Sequence, residues 1–128
     1  MTFVALMALS TSSCMEEHVD YLISFGASST GGSFDGETLA AMAYLDDVFG
    51  ETFQQSGYEV MAGMVVMRDS SKKRASQIAK ELAVKADAKV DPQKIVELQQ
   101  LDSYIISVRV GTLGEGDETV WKKDYSKE

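Results

Sequence analysis

Tyr21, Ile23, Phe25 and Ala27 alternate with more mixed residues over 20–27, the two-residue period of a half-buried strand. The small residues of 28–33, with Gly31-Gly32 among them, read as a loop. Asp35 can cap the helix that follows by accepting from the free amides of its first turn. The spacing predicts that helix over 37–55, with Leu39, Met42, Ala43, Phe49 and Phe53 near one face and Leu45 and Val48 widening the stripe. Gly57 then stops it. From Tyr58 to Arg68 both alternating sets are largely apolar, as expected for one central strand covered on two sides.

Asp69-Ser70-Ser71 offers capping residues for a second helix over 72–89, whose inner stripe is Ala75, Ile78, Ala79, Leu82 and Ala86. Asp91-Pro92 opens a short third helix over 93–101, with Ile95, Leu98 and Leu101 turned inward. The chain then extends: Tyr104, Ile106, Val108 and Val110 face one way, Ile105, Ser107 and Arg109 the other. Gly114-Glu115-Gly116-Asp117 makes a turn, 118–125 returns as a hairpin partner, and Ser126-Lys127-Glu128 is a polar end expected to fray. The order β-α-β-α-(α)-β-β predicts an α+β two-layer sandwich with its helices on one face of a mixed sheet. Its first β-α-β unit is expected to be a right-handed crossover joining two parallel strands. The other sheet face is left to solvent or to a partner.

Ahead of this domain stands an uncharged apolar run, Phe3 to Leu9, followed by the small residues Ser10 to Ser13 and then Cys14. Secretory signals share the short apolar segment and the small residues at the cut. The run is too short to span a bilayer, which takes about 20 apolar residues. A cysteine directly after small residues resembles the lipobox of bacterial lipoproteins. The form is a relaxed one, with Thr11 where that class usually has a leucine. The resemblance implies that Cys14 receives a diacylglyceryl group, that the peptide is cut just before it, and that the new amino terminus is acylated. It divides the chain into a signal-like segment (1–13), an acidic tether (14–19) and a single α+β domain (20–128). It places the protein in a bacterial cell envelope, anchored to the outer membrane through its N-terminal lipid.

Composition narrows the chemistry. Cys14 is the only cysteine, so neither an intramolecular disulfide nor a cysteine-based zinc site can form. A net charge of −8 argues against nucleic acid and against anionic membrane surfaces as partners, and otherwise serves solubility. Membrane attachment must then come through lipid, and two or more acyl chains hold stably where one does not.

No residue set reads as catalytic. Glu16, Glu17, His18 and Asp20 are good ligand types, but adjacent residues of an extended segment point to opposite sides, and a solvated tether explains them better. Asp46 and Asp47 sit about 100° apart on their helix and cannot converge on one atom. The glycines of 111–116 lie between strands, whereas a phosphate-cradling loop needs a helix N-terminus behind it. No cofactor and no metal is expected.

Two groups remain as candidate binding residues. Lys72, Lys73 and Arg74 open the second helix, where cations and free amides together could hold an anion, although one short basic cluster is usually solvated surface. Trp121 and Tyr125 share a face of the last strand. They read first as a cover over the core and second as an aromatic recognition platform. The expected function is that of a lipid-anchored envelope protein serving as a binding or accessory module for a protein or glycan partner. The alternatives are a small envelope enzyme using carboxylates such as Asp46 or Asp35, and a cytoplasmic structural protein with a misread N-terminus.

Overall fold

The computed structural model describes residues 18–61 and 64–126. The signal-like segment 1–13, Cys14, Glu16 and Glu17 lie outside the described residues. The chain runs β1 (Val19–Thr30), α1 (Gly36–Gln55), β2 (Glu59–Met61), β3 (Met64–Ser70), α2 (Lys72–Lys89), two 3-10 turns (Pro92–Lys94 and Val96–Gln100), β4 (Ser103–Gly111) and β5 (Asp117–Asp124). The strands form one sheet in the order β2-β3-β1-β4-β5, and every neighbouring pair is antiparallel. The α+β sandwich of the sequence reading is present. Through β4 the chain order is that of the split β-α-β arrangement, with β5 added at the β4 edge.

The mixed sheet is corrected. The stretch 58–68, read as one central strand, is two: Met61 pairs with Met64 and Glu59 with Val66, so the chain reverses between β2 and β3. β2 still runs in the direction of β1, as a β-α-β crossover requires, but β3 returns between them and makes both contacts antiparallel. Continuous apolar character hid the reversal, because β3 and the short edge strand β2 carry the same kinds of residue.

Smaller corrections have local causes. β1 extends from within the expected tether to Thr30, three residues into the expected loop. Its far end is held by β4, with Thr30 opposite Ser103 and their hydroxyls 2.9 Å apart. The third helix is replaced by the two 3-10 turns, closed by Lys94 N–H to Asp91 O (2.9 Å) and Leu98 N–H to Ile95 O (3.0 Å), with Ile95 leaving helical geometry between them. Ser126, expected to fray, is buried, and its amide donates to Asp124.

Both long helices start where their caps stand. Asp35 accepts from Thr38 N–H at 2.9 Å, and Ser71 accepts from Arg74 N–H at 3.1 Å. On α1 the buried stripe is Ala41, Leu45, Phe49 and Phe53, spaced four apart. Leu39 and Ala43, expected inside, are exposed, because the true stripe is centred on Leu45 and Phe49. On α2 the stripe is Ala75, Ala79, Ala83 and Ala86, flanked by half-buried Ile78 and Leu82. Small side chains let α2 lie close over the sheet. Against the helices the sheet sets Ile23, Val65, Met67, Tyr104, Ile106, Val108 and Val110. Phe25 packs between the two large helix rings, 5.1 Å from Phe53 and 6.3 Å from Phe49 between centroids. Fully burying each such side chain contributes about 1.5–3 kcal/mol. Among the described residues, no helix is long and apolar enough to cross a membrane.

Candidate binding face

The helices cover only one face of the sheet. Side-chain alternation and register assign the other face to Met61 and Glu59 on β2, Met64 and Val66 on β3, Leu22, Ser24, Gly26 and Ser28 on β1, Ile105, Ser107 and Arg109 on β4, and Lys122 on β5. Leu22, Met64, Val66 and Ile105 are half-buried, while Met61 is 51 % exposed. Over β4 and β5 this face dips into a hollow of about 620 Å³ lined by Ser28, Ile105, Ser107 and Arg109 and by the β5 run Thr119, Val120, Trp121 and Lys122.

Beside the hollow Gly26 stands opposite Ser107, whose hydroxyl donates to the Gly26 carbonyl at 3.3 Å, and the Arg109 side chain reaches over this glycine. Charge is unevenly spread. Arg109 lies 3.8 Å from Asp117, with Lys122 one residue pair further along the sheet. Across the sheet, Arg68 sits between two acids, 3.2 Å from Glu59 and 3.7 Å from Asp20. The β5 side therefore sets Arg109 and Lys122 beside Asp117 and, in the adjoining turn, Glu115, and the β2 side sets two carboxylates around one cation.

Of the candidate binding residues, Trp121 reaches the edge of the hollow and the others fall elsewhere. A bulge in the β4–β5 pairing sets Trp121 opposite Val108 but Thr119 opposite Arg109, so these two β5 residues point to opposite faces despite their even spacing. Trp121 thus turns toward the helices, its ring 5.5 Å from that of Phe49. Tyr125 is buried on the same side, and its hydroxyl donates to Asp87 Oδ1 at 2.7 Å. Both side chains thus touch the core side, Tyr125 buried there and Trp121 half-buried and also bordering the hollow. Lys72 is engaged by Glu118 at 3.2 Å, while Lys73 and Arg74 are exposed. The Ser71 hydroxyl already occupies one of the free amides at that helix start. The basic cluster and the aromatic pair do not converge.

The carboxylates are also spoken for or apart. Asp20 accepts from Asp69 N–H at 2.9 Å. Asp35 is the cap of α1, and hydrogen bonding from the Thr38 backbone holds its carboxyl below the usual range. Partial burial pushes the Asp46 carboxyl up, with a further push from the Asp47 charge. Burial, then the Asp46 charge, pushes the Tyr104 phenol up to about 12. Among the described residues, no three of His, Cys, Asp or Glu gather where they could hold a metal ion.

Two features escaped the sequence reading. The hollow lies beside the irregularity in the β4–β5 pairing at Val108 and Arg109, which no residue type announces. The Asp87–Lys123–Tyr125 cluster joins α2 to β5; the only hint was that Lys123 and Tyr125 lie two apart on one strand. Compared with known proteins, the chain matches no family model, no curated protein and no solved structure.

Proposed function

We propose that this chain is a lipid-anchored cell-envelope protein whose globular part is a binding module working through the uncovered face of its sheet. The observation that carries the binding role is that face: a broad surface joining half-buried Leu22, Met64, Val66 and Ile105 to a hollow edged by Arg109 and Lys122. Half-covered sheets that mix apolar and charged side chains in this way make recognition surfaces, with buried apolar contact for affinity and charge for orientation. The anchor rests on the residues up to Cys14 and on their resemblance to the lipobox.

The membrane attachment is tested by metabolic labelling with a lipid precursor in cells making the native chain or Cys14→Ala. Label in the native chain alone is expected. Equal label in both, or none in either, removes the basis for the anchor. The binding role is tested by a photo-crosslinking side chain placed at Ile105 on the uncovered face. A crosslinked product is expected, and its absence removes the role given to that face.

A further inference from the structure

We infer that the hollow on the uncovered face is a site for a sugar acid, a ligand of one or two rings bearing several hydroxyls and a single carboxylate. This rests on the reading of that face as a binding surface and names its ligand. Both charged residues in the lining are cations, Arg109 and Lys122, and no carboxylate of the described residues lines the hollow. Its hydroxyls are those of Ser28, Ser107 and Thr119, and Ile105 and Val120 give it apolar surface. At about 620 Å³ it falls within the range of small-molecule sites.

The strand register sets the two cations on either side of one point. Lys122 stands opposite Ser107, and Arg109 follows Ser107 by two residues on the same face of β4. The Arg109 side chain leans the other way, toward β1. Its Nε is 4.0 Å from the point that a Cβ on Gly26 would occupy, and Gly26 is the β1 partner of Ser107. A carboxylate over Ser107 therefore has a guanidinium on its β1 side and an ammonium on its β5 side. Diagonal neighbours on a sheet have backbones about 7–8 Å apart, a gap that one carboxylate fills when two long side chains reach for it. Lys122 has no ion-pair partner among the described residues, and Arg109 has only its exposed contact with Asp117 at 3.8 Å, a kind that contributes little.

The hydroxyls decide what carries the carboxylate. β4 is hydrogen-bonded to β1 on one side and to β5 on the other, so its backbone offers nothing to an extended peptide. Recognition above it has to be made by side chains. The hydroxyls of Ser28 and Thr119 bond to no other described residue, and Ser107 spends only its proton, on the Gly26 carbonyl, which leaves its lone pairs to accept. A ring carrying hydroxyls and one carboxylate answers both sets of groups, with its C–H face against Ile105. The net charge of −8 disfavours a polyanion, but at physiological salt a single carboxylate is screened from charges beyond about 8 Å.

The test is an NMR titration of the full chain with glucuronate, beside glucose and acetate, which carry the hydroxyls and the carboxylate separately. Glucuronate is expected to bind with a dissociation constant of about 1 mM and to move the Ser107, Arg109 and Thr119 amides, and glucose and acetate to bind about tenfold more weakly or less. Lys122→Gln should weaken glucuronate about tenfold and leave glucose unchanged, whereas Lys122→Arg should keep most of the affinity. Lys122 is exposed, so folding is not at stake, and unchanged circular dichroism checks this. Glucose or acetate matching glucuronate, shifts confined to another surface, or an affinity indifferent to Lys122→Gln overturns the inference. The Ile105 crosslinker separates the two failures. Adducts with a protein, from a chain that takes no glucuronate, overturn the sugar acid alone; no adduct and no titration overturn the binding face as well.

Discussion

The Tyr125 hydroxyl donates to Asp87 Oδ1 at 2.7 Å, and the Lys123 ammonium holds both oxygens of the same carboxylate at 3.0 and 3.2 Å. The two donors lie at and just beyond the end of β5, and the acceptor lies near the end of α2. One carboxylate therefore fastens the last strand to the helix above it. Lys123 also lies over the Tyr125 ring, 5.1 Å from its centroid, so the charge is shared by the whole group.

Tyr125→Phe keeps the buried ring and removes only the bond to Asp87. A hydrogen bond to a charged group contributes about 1.5–3 kcal/mol, and Lys123 remains to satisfy the carboxylate, so a loss of about 1.5 kcal/mol is expected. Urea unfolding of the two chains measures it, with a lowered midpoint and an unchanged slope. Asp87→Ala should cost more, because it leaves the buried phenol without its acceptor and Lys123 without its pair.

The same residues set an alkaline limit. Burial, then the Asp87 hydrogen bond and charge, raise the Tyr125 phenol far above its ordinary value, and burial takes Tyr104 to about 12. For both groups the folded chain favours the protonated form. Their contribution is fully present below the unfolded value near 10 and is lost as pH rises from there through the folded values. Stability should thus be level up to about pH 10 and fall steeply above it. Tyr125→Phe and Tyr104→Phe should each flatten that fall, read as the unfolding midpoint at successive pH values. Asp46→Asn removes the neighbouring charge but leaves the burial, so it should lower the Tyr104 titration, followed by tyrosinate absorbance, only slightly.

What the sequence disclosed and what it hid divide along one line. Elements specified by local chemistry were legible: the caps Asp35 and Ser71, the Ala75–Ala86 stripe, and the alternation of Tyr104 to Val110 all stand where their residue types put them. Features specified by pairing between distant segments were not. The reversal after Met61 lies within an apolar run, and antiparallel contact of β3 with β1 is decided by partners as distant in sequence as Leu22 and Val66. The candidate face was visible only as the leftover set Ile105, Ser107 and Arg109. Its hollow lies beside a bulge that sets Trp121 opposite Val108 and Thr119 opposite Arg109, and a bulge is a property of two strands together.

Gly31 and Gly32 show how closely β1's exit fits the approach to β4. Both have positive φ, 66° and 68°, a region in which side chains with a Cβ are strained. A Cβ on Gly31 would run into the Asp102 side chain, whose carboxylate can swing away although its Cβ, at 2.9 Å, must also give a little, whereas one on Gly32 would strike the backbone at Gln100 and Leu101, which cannot. Gly32→Ala should therefore cost about 1–3 kcal/mol, and Gly31→Ala distinctly less. Paired thermal melts rank them; equal losses would show that φ alone, and not the backbone approach, sets the cost.

Trp121 is the residue for which core and recognition roles diverge most sharply in their consequences. Its indole is half-buried, stands opposite Val108 and lies 5.5 Å from the Phe49 ring at a tilt of 42°, a contact that fixes the edge strand β5 to the middle of α1. Large-to-small truncation of a buried Phe or Trp costs about 3–5 kcal/mol, and partial exposure sets Trp121→Ala near the lower end. Because the loss arises from a pair, it should be shared: a double-mutant cycle of Trp121→Ala with Phe49→Leu should return a coupling of about 0.5–1.5 kcal/mol. Crosslinking from Ile105 on the uncovered face should persist in any Trp121 variant that remains folded. Unchanged stability together with lost binding would instead move Trp121 from the core to the recognition surface.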